Sequence, residues 1–282
     1  MNKNYFTAVT LGTALIQFAV IGAESSKPLI EQAKEAYSHR DPVKALELAT
    51  AAIKEEPANA TNFYVRAQIL GLIGKKEEAV TNYSAALNRD VLFAGAYEAR
   101  GIEQFKLGRV KESIEDFDRF IAVEPRQGPY QWMRGIALYE AKRFADGQKQ
   151  FESHQTVNPN DVENAAWHFA CVARKEGSEA ARKKLLPIKG DSRVPLMTVY
   201  ALYGGTATTD DVFKAAEEGS PSQDEIRPRL FYANFYVGLY LEAIRDERAL
   251  VYLRKAAETY RMEGPMGDVA LIHYKRIMAK GS

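Results

Sequence analysis

A nucleophile and a base lie three residues apart in the middle of the chain. Cys171, the only cysteine among 282 residues, follows His168 at a spacing that places both side chains on one face of a helix. An imidazole beside a thiol can lower the pKa of the thiol and so create a nucleophile. A hydrolase or thiol enzyme that uses these two residues is therefore one hypothesis. We favour a small buried residue at Cys171, because the nearby sequence suggests no orienting carboxamide and no oxyanion donor.

Other catalytic and ligand-binding patterns are missing from the sequence. The remaining histidines, His39, His154 and His273, form no H-E-x-x-H pair and no Cys/His cluster, so we expect no metal site. No G-x-S-x-G, Walker or dinucleotide glycine pattern is present either. We therefore expect no cofactor and no catalytic residue. The net charge of +1 gives no electrostatic reason to expect nucleic acid as a partner.

Three arginines recur at a fixed spacing. Arg66, Arg100 and Arg134 are evenly spaced, and we call them the arginine ladder and the distance between them along the chain the repeat interval. Such a row could bind an acidic peptide, or it could pair with acidic residues of neighbouring helices. We favour the second, structural interpretation, because this position lies near the interior of a helix pair. The candidate acidic residues are Glu78, Glu112, Asp116 and Asp118.

The same repeat interval relates the small and large apolar positions. In residues 94–125, two amphipathic helices are predicted on either side of a turn at Gly108. Gly101, Gly108, Ser113, Phe117 and Phe120 have counterparts one repeat interval earlier in Ala67, Gly74, Ala79, Tyr83 and Ala86. The positions one repeat interval later are Gly135, Lys142, Gly147, Phe151 and His154. This unit resembles a tetratricopeptide repeat (TPR), a helix-turn-helix module of about 34 residues.

The resemblance implies an all-α protein. We expect a TPR helix-turn-helix solenoid with an irregular helical middle and a C-terminal TPR-like hairpin plus a capping helix. The repeat pattern fails after Pro159 and returns near Arg229. The predicted organisation is a signal peptide at 1–23, four TPR repeats at 28–160, irregular short helices at 161–222, and the TPR-like hairpin with the C-terminal capping helix at 223–280.

The N-terminal segment 1–23 has the order of an export signal. Lys3 precedes an apolar run that ends in small residues before Glu24. We predict a signal peptide that is cleaved after Ala23. The alternative is a retained membrane anchor, since the run is near the lower limit for spanning a bilayer. The predicted localisation is therefore exported, periplasmic or extracytoplasmic, and membrane-anchored if the segment is retained.

Three longer stretches carry a more specific resemblance. RGIALYEAKR at 134–143, NPNDVENAAWHFA at 158–170 and FYANFYVGLYLEAIRD at 231–246 are similar to the new-lipoprotein-I type of bacterial periplasmic TPR protein. That resemblance implies a helical adaptor, often a homodimer, that docks cell-wall hydrolases and a periplasmic protease without doing chemistry itself. The sequence departs from the family in lacking the lipidated cysteine.

These observations favour a non-catalytic protein–protein interaction scaffold or adaptor of the cell envelope, with a protein or peptide partner. Stacked helix pairs curve, so the inner faces of their first helices line a groove that can hold a partner. Aromatic and long polar side chains suit such a peptide site. The predicted partner-binding residues are Tyr64, Gln68, Glu98, Phe105, Lys106, Trp132, Tyr139 and Glu140.

Overall fold

The computed structural model of the protein describes residues 27–279, and this part of the chain consists of helices and connecting turns without a β-strand. The all-α prediction is confirmed for these residues. The predicted signal peptide at 1–23 lies outside them. The first eight α-helices form four pairs, which are α1 (Leu29–Ser38) with α2 (Pro42–Glu55), α3 (Ala60–Leu72) with α4 (Lys76–Leu87), α5 (Ala94–Lys106) with α6 (Val110–Val123), and α7 (Trp132–Glu140) with α8 (Phe144–Gln155).

Each of the four pairs reverses direction at a residue in the left-handed conformation. Arg40, Gly74, Gly108 and Lys142 have φ angles of 63°, 82°, 75° and 61°. Successive members of this set are one repeat interval apart, as the sequence pattern predicts for the turns. A positive φ ends the first helix of each pair and lets the chain fold back, and glycine adopts it at the lowest cost.

Small residues on the first helix of a pair let an aromatic ring of the second helix approach closely. A Cβ added at Gly101 would lie 3.2 Å from the Phe117 ring, and one added at Gly135 would lie 2.7 Å from the Phe151 ring. Both rings are fully buried. The interval between small and large residues in the sequence therefore reflects how the two helices of a pair interlock.

The stack continues beyond the point where the sequence pattern fails. Four shorter or less regular helices follow, α9 (Val162–Glu176), α10 (Ser178–Lys183), α11 (Leu196–Gly204) and α12 (Thr209–Glu217). The Asp161 side chain accepts a hydrogen bond from the Glu163 amide and so caps α9. α9 packs against α8 as the first helix of a further pair would, and its partner is the six-residue helix α10.

A second regular hairpin follows. α13 (Gln223–Ala243) begins six residues before Arg229, because Ser222 and Glu225 form a capping box that starts the helix upstream of Pro228. It pairs with α14 (Ala249–Arg254), and the turn between them contains Arg245 at a φ of 65°. A Cβ added at Gly238 would lie 2.7 Å from Leu253. This contact repeats that of Gly135 with Phe151, with one residue less between the partners.

The last helix packs back on the stack. A five-residue π-helical turn (Lys255–Thr259) leads to α15 (Pro265–Met278). Besides packing on α14, α15 lies against α5 and α7. His273 and Arg276 of α15 contact the Glu140 carboxylate at 2.5 Å and 3.1 Å. We call the side of α3, α5 and α7 that faces α15 the inner face.

The interior divides into one large core and two small ones. The large core extends from α5 to α15 and contains Trp167, Phe235 and Tyr236. The smallest core joins α1, α2 and α3 through buried side chains no larger than isoleucine, such as Ala45 and Ile69, and Tyr37 and Tyr64 pack partly buried against them. Burial is therefore concentrated in the C-terminal two thirds of the described chain. Within residues 27–279, no helix is both long and apolar enough to cross a bilayer.

Candidate functional site

Three of the predicted partner-binding residues line one cavity on the inner face. Glu98 and Lys106 of α5 and Trp132 of α7 lie around a space of about 360 Å³ that is closed on one side by Pro265 and Asp268 of α15. We call it the inner-face cavity. Its remaining wall is mainly apolar and includes Leu72 and Ile102.

Charged groups of both signs surround the inner-face cavity. The Gln131 side-chain amide donates a hydrogen bond to Glu98 at 2.7 Å. The Lys106 ammonium contacts Glu103 at 2.8 Å and reaches Asp268 at 4.0 Å. An apolar floor with fixed charges at its edge can bind a polypeptide that brings both apolar and polar groups.

Two further predicted residues extend this surface toward the N-terminus. The Gln68 side-chain amide donates a hydrogen bond to the Tyr64 hydroxyl at 3.2 Å, and the Tyr64 ring lies 4.7 Å from the ring of Phe93. Gln68 is exposed and Tyr64 is partly buried. Burial, with a smaller effect of Glu98, raises the pKa of the Tyr64 hydroxyl above its ordinary value, so this group stays a neutral donor and acceptor.

Phe105, Tyr139 and Glu140 are buried and do not line an open groove, contrary to the expectation from the sequence. Phe105 belongs to the large core. The Tyr139 hydroxyl donates a hydrogen bond to Glu242 of α13, and burial raises the pKa of this hydroxyl well above the ordinary value. Glu140 is covered by α15. Helices from far along the chain pack against α5 and α7 at these residues, and repeat counting does not predict such contacts.

Leu72 and Ile102 are site residues that the sequence interpretation missed. Leu72 stands one repeat interval before Lys106, and Ile102 stands one repeat interval after Gln68. Both therefore share a repeat position with a residue that was predicted. Leu72 is 65% exposed although it is apolar. The repeat register identifies both residues when each predicted inner-face position is also marked in the repeat before it and in the repeat after it.

Arg100 of the arginine ladder joins two helix pairs. Its guanidinium donates to the Asp116 carboxylate at 2.6 Å and 2.8 Å, sixteen residues later on α6. It also donates to the Ser84 hydroxyl at 2.8 Å, sixteen residues earlier on α4. Asp116 is one of the acidic residues expected from the sequence, whereas Glu78 pairs with Lys75.

Arg134 repeats this arrangement in full, and Arg66 repeats the bond within its own pair. Arg134 donates to Asp118 at 2.7 Å on the preceding second helix and to Gln150 at 2.9 Å on its own. Arg66 donates to Asn82 at 3.1 Å. Since each guanidinium is engaged with side chains of the second helices, the contacts favour the structural interpretation over a free row for an acidic peptide.

His168 continues the ladder. It stands one repeat interval after Arg134, and its Nε2 lies 3.3 Å from Glu152, sixteen residues earlier. Burial lowers the pKa of the His168 imidazole, and the nearby Glu152 carboxylate offsets this lowering only in part. Cys171 is fully buried, and a Cβ added at Gly147 would lie 2.8 Å from its sulfur.

Burial raises the pKa of the Cys171 thiol well above its ordinary value, so the sulfur is kept as a neutral thiol. Among residues 27–279, no hydrogen bond joins Cys171 to His168, and no group of three or more His, Cys, Asp or Glu side chains is arranged to hold a metal ion. Nothing in this arrangement favours the thiol-enzyme hypothesis.

Two comparisons relate the sequence to known proteins. Residues 98–153 match the family model of the tetratricopeptide repeat. The small glutamine-rich tetratricopeptide repeat-containing protein 2 of Mycosarcoma maydis is 26% identical over 137 residues. That alignment covers 49% of this chain and 36% of the relative, so the chain spans about a third of the length of the curated relative it matches.

Solved structures share the fold. A tetratricopeptide repeat protein from Parabacteroides merdae superposes with a TM-score of 0.57 at 20% identity, over 89% of this chain and 97% of that one. MamA from Desulfovibrio magneticus superposes with a TM-score of 0.51 at 15% identity, over 55% of this chain and 88% of that one. The chain therefore carries tetratricopeptide repeat sequence at residues 98–153 and shares the helical solenoid fold of these solved structures.

Proposed function

We propose that the chain is a non-catalytic interaction scaffold that binds a partner polypeptide along its inner face. The observation that carries the proposal is the inner-face cavity, where the exposed apolar side chain of Leu72 lies beside Lys106 and Trp132. An apolar cavity with an aromatic wall and a charged edge has the composition of a protein-binding surface.

The position of α15 supports a polypeptide as the occupant. This helix already lies against α5 and α7, and its contacts combine ion pairs with apolar packing, as in the pairing of Arg276 with Glu140. The inner face thus accommodates a helical segment of this chain. The inner face continues along Tyr64, Gln68 and Leu72 of α3, and a partner segment can occupy this part of it.

The proposed scaffold acts in the cell envelope of a bacterium. Support comes from the order of residues in 1–23 and from the resemblance of 134–143 and 231–246 to the periplasmic adaptors. Separation of cell fractions, followed by N-terminal sequencing of the recovered protein, tests this location. A mature chain that begins at Glu24 in the envelope fraction agrees with the proposal, and an uncleaved chain in the cytosolic fraction contradicts it.

Site-specific photo-crosslinking tests the partner surface. A photoreactive amino acid replaces Leu72, which lines the inner-face cavity, or Val43 on α2, which is 69% exposed and does not line it. We expect a discrete adduct from position 72 whose yield falls when Trp132 is changed to Ala, and no such adduct from position 43. Mass spectrometry identifies the crosslinked chain, and a second copy of this protein would indicate a homodimer.

An equal yield of adducts from positions 72 and 43 would show that the inner face has no preference for a partner. Retained crosslinking in the Trp132→Ala variant would show that Trp132 does not contribute to partner binding, contrary to the proposal. The urea midpoint of each variant is measured first, so that a lost adduct is not caused by unfolding.

A further inference from the structure

A second cavity lies on the other side of Trp132, between α7, α8 and α9. It has a volume of about 460 Å³, which is in the range of ligand-binding cavities. We call it the α7–α9 cavity. Its walls carry four aromatic side chains, and Tyr130 and Trp132 among them also line the inner-face cavity. A polypeptide on the inner face can therefore extend a side chain into this second space.

The charge of the α7–α9 cavity is negative. Asp161 and Glu163 line it, and no lysine or arginine does. His154 also lines it, and its Nδ1–H donates a hydrogen bond to the Pro129 carbonyl at 2.8 Å.

Asp161 and Glu163 are only partly neutralised by the rest of the protein. Within residues 27–279, Arg193 is the cation that forms ion pairs with them, and it pairs with Asp191 as well. Three carboxylates thus share one guanidinium. Burial raises the pKa of Glu163 above its ordinary value even though Tyr236 and Arg193 donate hydrogen bonds to it. A further positive charge near this carboxylate would stabilise its ionised form.

Two buried polar atoms of the lining residues have no hydrogen-bond partner within residues 27–279. They are the Asn164 side-chain oxygen and the indole nitrogen of Trp167, and both residues are at least nine-tenths buried. The other side of the Asn164 amide is engaged, since its nitrogen donates to the Phe151 carbonyl at 3.1 Å. Burying a polar atom without a partner costs free energy, which a bound ligand can recover. The Asn164 oxygen can only accept, so it needs a ligand with an N–H or O–H group.

We propose that the α7–α9 cavity binds a basic side chain, arginine or lysine, of the partner polypeptide. Aromatic walls attract a cation to the faces of their rings, and a planar guanidinium also stacks on them. The carboxylates of Asp161 and Glu163 supply the opposite charge, and the Asn164 oxygen accepts a hydrogen bond from the cation. This inference rests on the proposed scaffold function, and it names the chemistry by which the partner is recognised.

Trp167 provides a direct readout of occupancy. The chain has two tryptophans, Trp132 and Trp167, and Trp167 lines the α7–α9 cavity but not the inner-face cavity. In the Trp132→Phe variant of the full chain, Trp167 is the sole tryptophan and an aromatic wall is kept. The probes are blocked tripeptides with arginine, glutamine or glutamate between two alanines, titrated while the Trp167 emission is recorded.

We expect a saturable change in emission with the arginine peptide. Its half-saturating concentration should be about tenfold lower than that of the glutamine peptide. Glu163→Gln keeps the size of this side chain and one acceptor oxygen but removes its charge, and it should weaken binding of the arginine peptide about fivefold. Glu176→Gln removes the same charge from the end of α9, away from the cavity, and should change binding less than about twofold.

Three results would overturn the proposal: no saturable response to the arginine peptide, a glutamine or glutamate peptide that binds as tightly, or equal effects of Glu163→Gln and Glu176→Gln. The failure of this proposal is distinguishable from failure of the scaffold function, because crosslinking from position 72 reports on the inner-face cavity without these peptides. A discrete adduct there, together with no response of Trp167, would leave a scaffold that does not use the α7–α9 cavity.

Discussion

A single guanidinium joins two neighbouring helix pairs at Arg100. Its three donated hydrogen bonds end on Asp116 and Ser84, and the Asp116 side chain is only 6% exposed. Hydrogen bonding to Asp116 raises the pKa of the Arg100 guanidinium, so the guanidinium stays charged. The equivalent bonds of Arg134 repeat the link one pair later. Identical residues at one repeat position thus hold successive pairs in register.

Replacing Arg100 with Ala should lower the free energy of unfolding by about 2 kcal/mol, because the nearly buried Asp116 carboxylate would lose its cation. Urea unfolding followed by circular dichroism measures the change. The matched control is Arg143→Ala, which removes a half-exposed arginine paired with Asp146 and should cost about 0.5 kcal/mol.

If the arginine ladder is structural, Arg100→Ala should leave partner binding unchanged. Under conditions where the variant is fully folded, its crosslinking yield from position 72 should match that of the unmodified protein. Normal stability combined with lost crosslinking would instead indicate that Arg100 contacts the partner.

At the scale of helices, the sequence predicts the elements that depend on local spacing. The four pairs from α1 to α8 follow from residues such as Gly101 and Phe117, whose contact lies within one repeat. The inner-face residues Glu98, Lys106 and Trp132 follow from the same register. The all-α fold and the TPR repeats are thereby confirmed, while partner binding by these residues stays a prediction.

What the sequence does not predict depends on contacts between distant parts of the chain. His273 contacts Glu140 across 133 residues, and this contact buries part of the groove expected from repeat counting. Arg193 brings Asp161 and Glu163 together with Asp191 across a loop that has no repeat pattern. The α7–α9 cavity and the covered part of the inner face therefore require the three-dimensional structure.

Arg276 joins α15 to the end of α7. Its guanidinium donates to the Glu140 carboxylate at 3.1 Å and to the Glu140 backbone carbonyl at 3.0 Å. Arg276→Ala should weaken the attachment of α15, so the backbone amides of α15 should exchange about tenfold faster with deuterium than in the unmodified protein. Peptide-resolved mass spectrometry measures the exchange. Lys275→Ala removes an exposed charge from the adjacent position and should leave the rate unchanged.

The same experiment tests whether the effect is confined to α15. Amides of α9 should keep their protection in the Arg276→Ala variant, since Trp167 and Phe169 are buried by other helices as well. Faster exchange throughout α9 would mean that the change loosens the whole core, and an unchanged rate in α15 would mean that Arg276 does not anchor it.

Over the whole molecule, apolar burial is distributed unevenly along the stack. α9 and α13 cross the large core and carry fully buried aromatic rings, among them Trp167, Phe169 and Phe235. The core between α1, α2 and α3 has no buried aromatic side chain and depends on residues such as Ala33, Ala49 and Val65. Since a repeat protein is stabilised by its nearest neighbours, its terminal pair can open while the rest stays folded.

The uneven burial predicts that backbone amides of the unmodified chain fall into two groups that differ in their protection from hydrogen exchange. Amides of α1 and α2 should exchange with deuterium at least about 100-fold faster than those of α9 and α13, because opening the terminal pair exposes little apolar area. α5 and α6 provide an internal comparison, since they bury Phe105 and Phe117 and should exchange at an intermediate or slow rate. Equal protection from α1 to α13 would show that the repeats unfold as one unit, and would make the large core responsible for the stability of the N-terminal pairs as well.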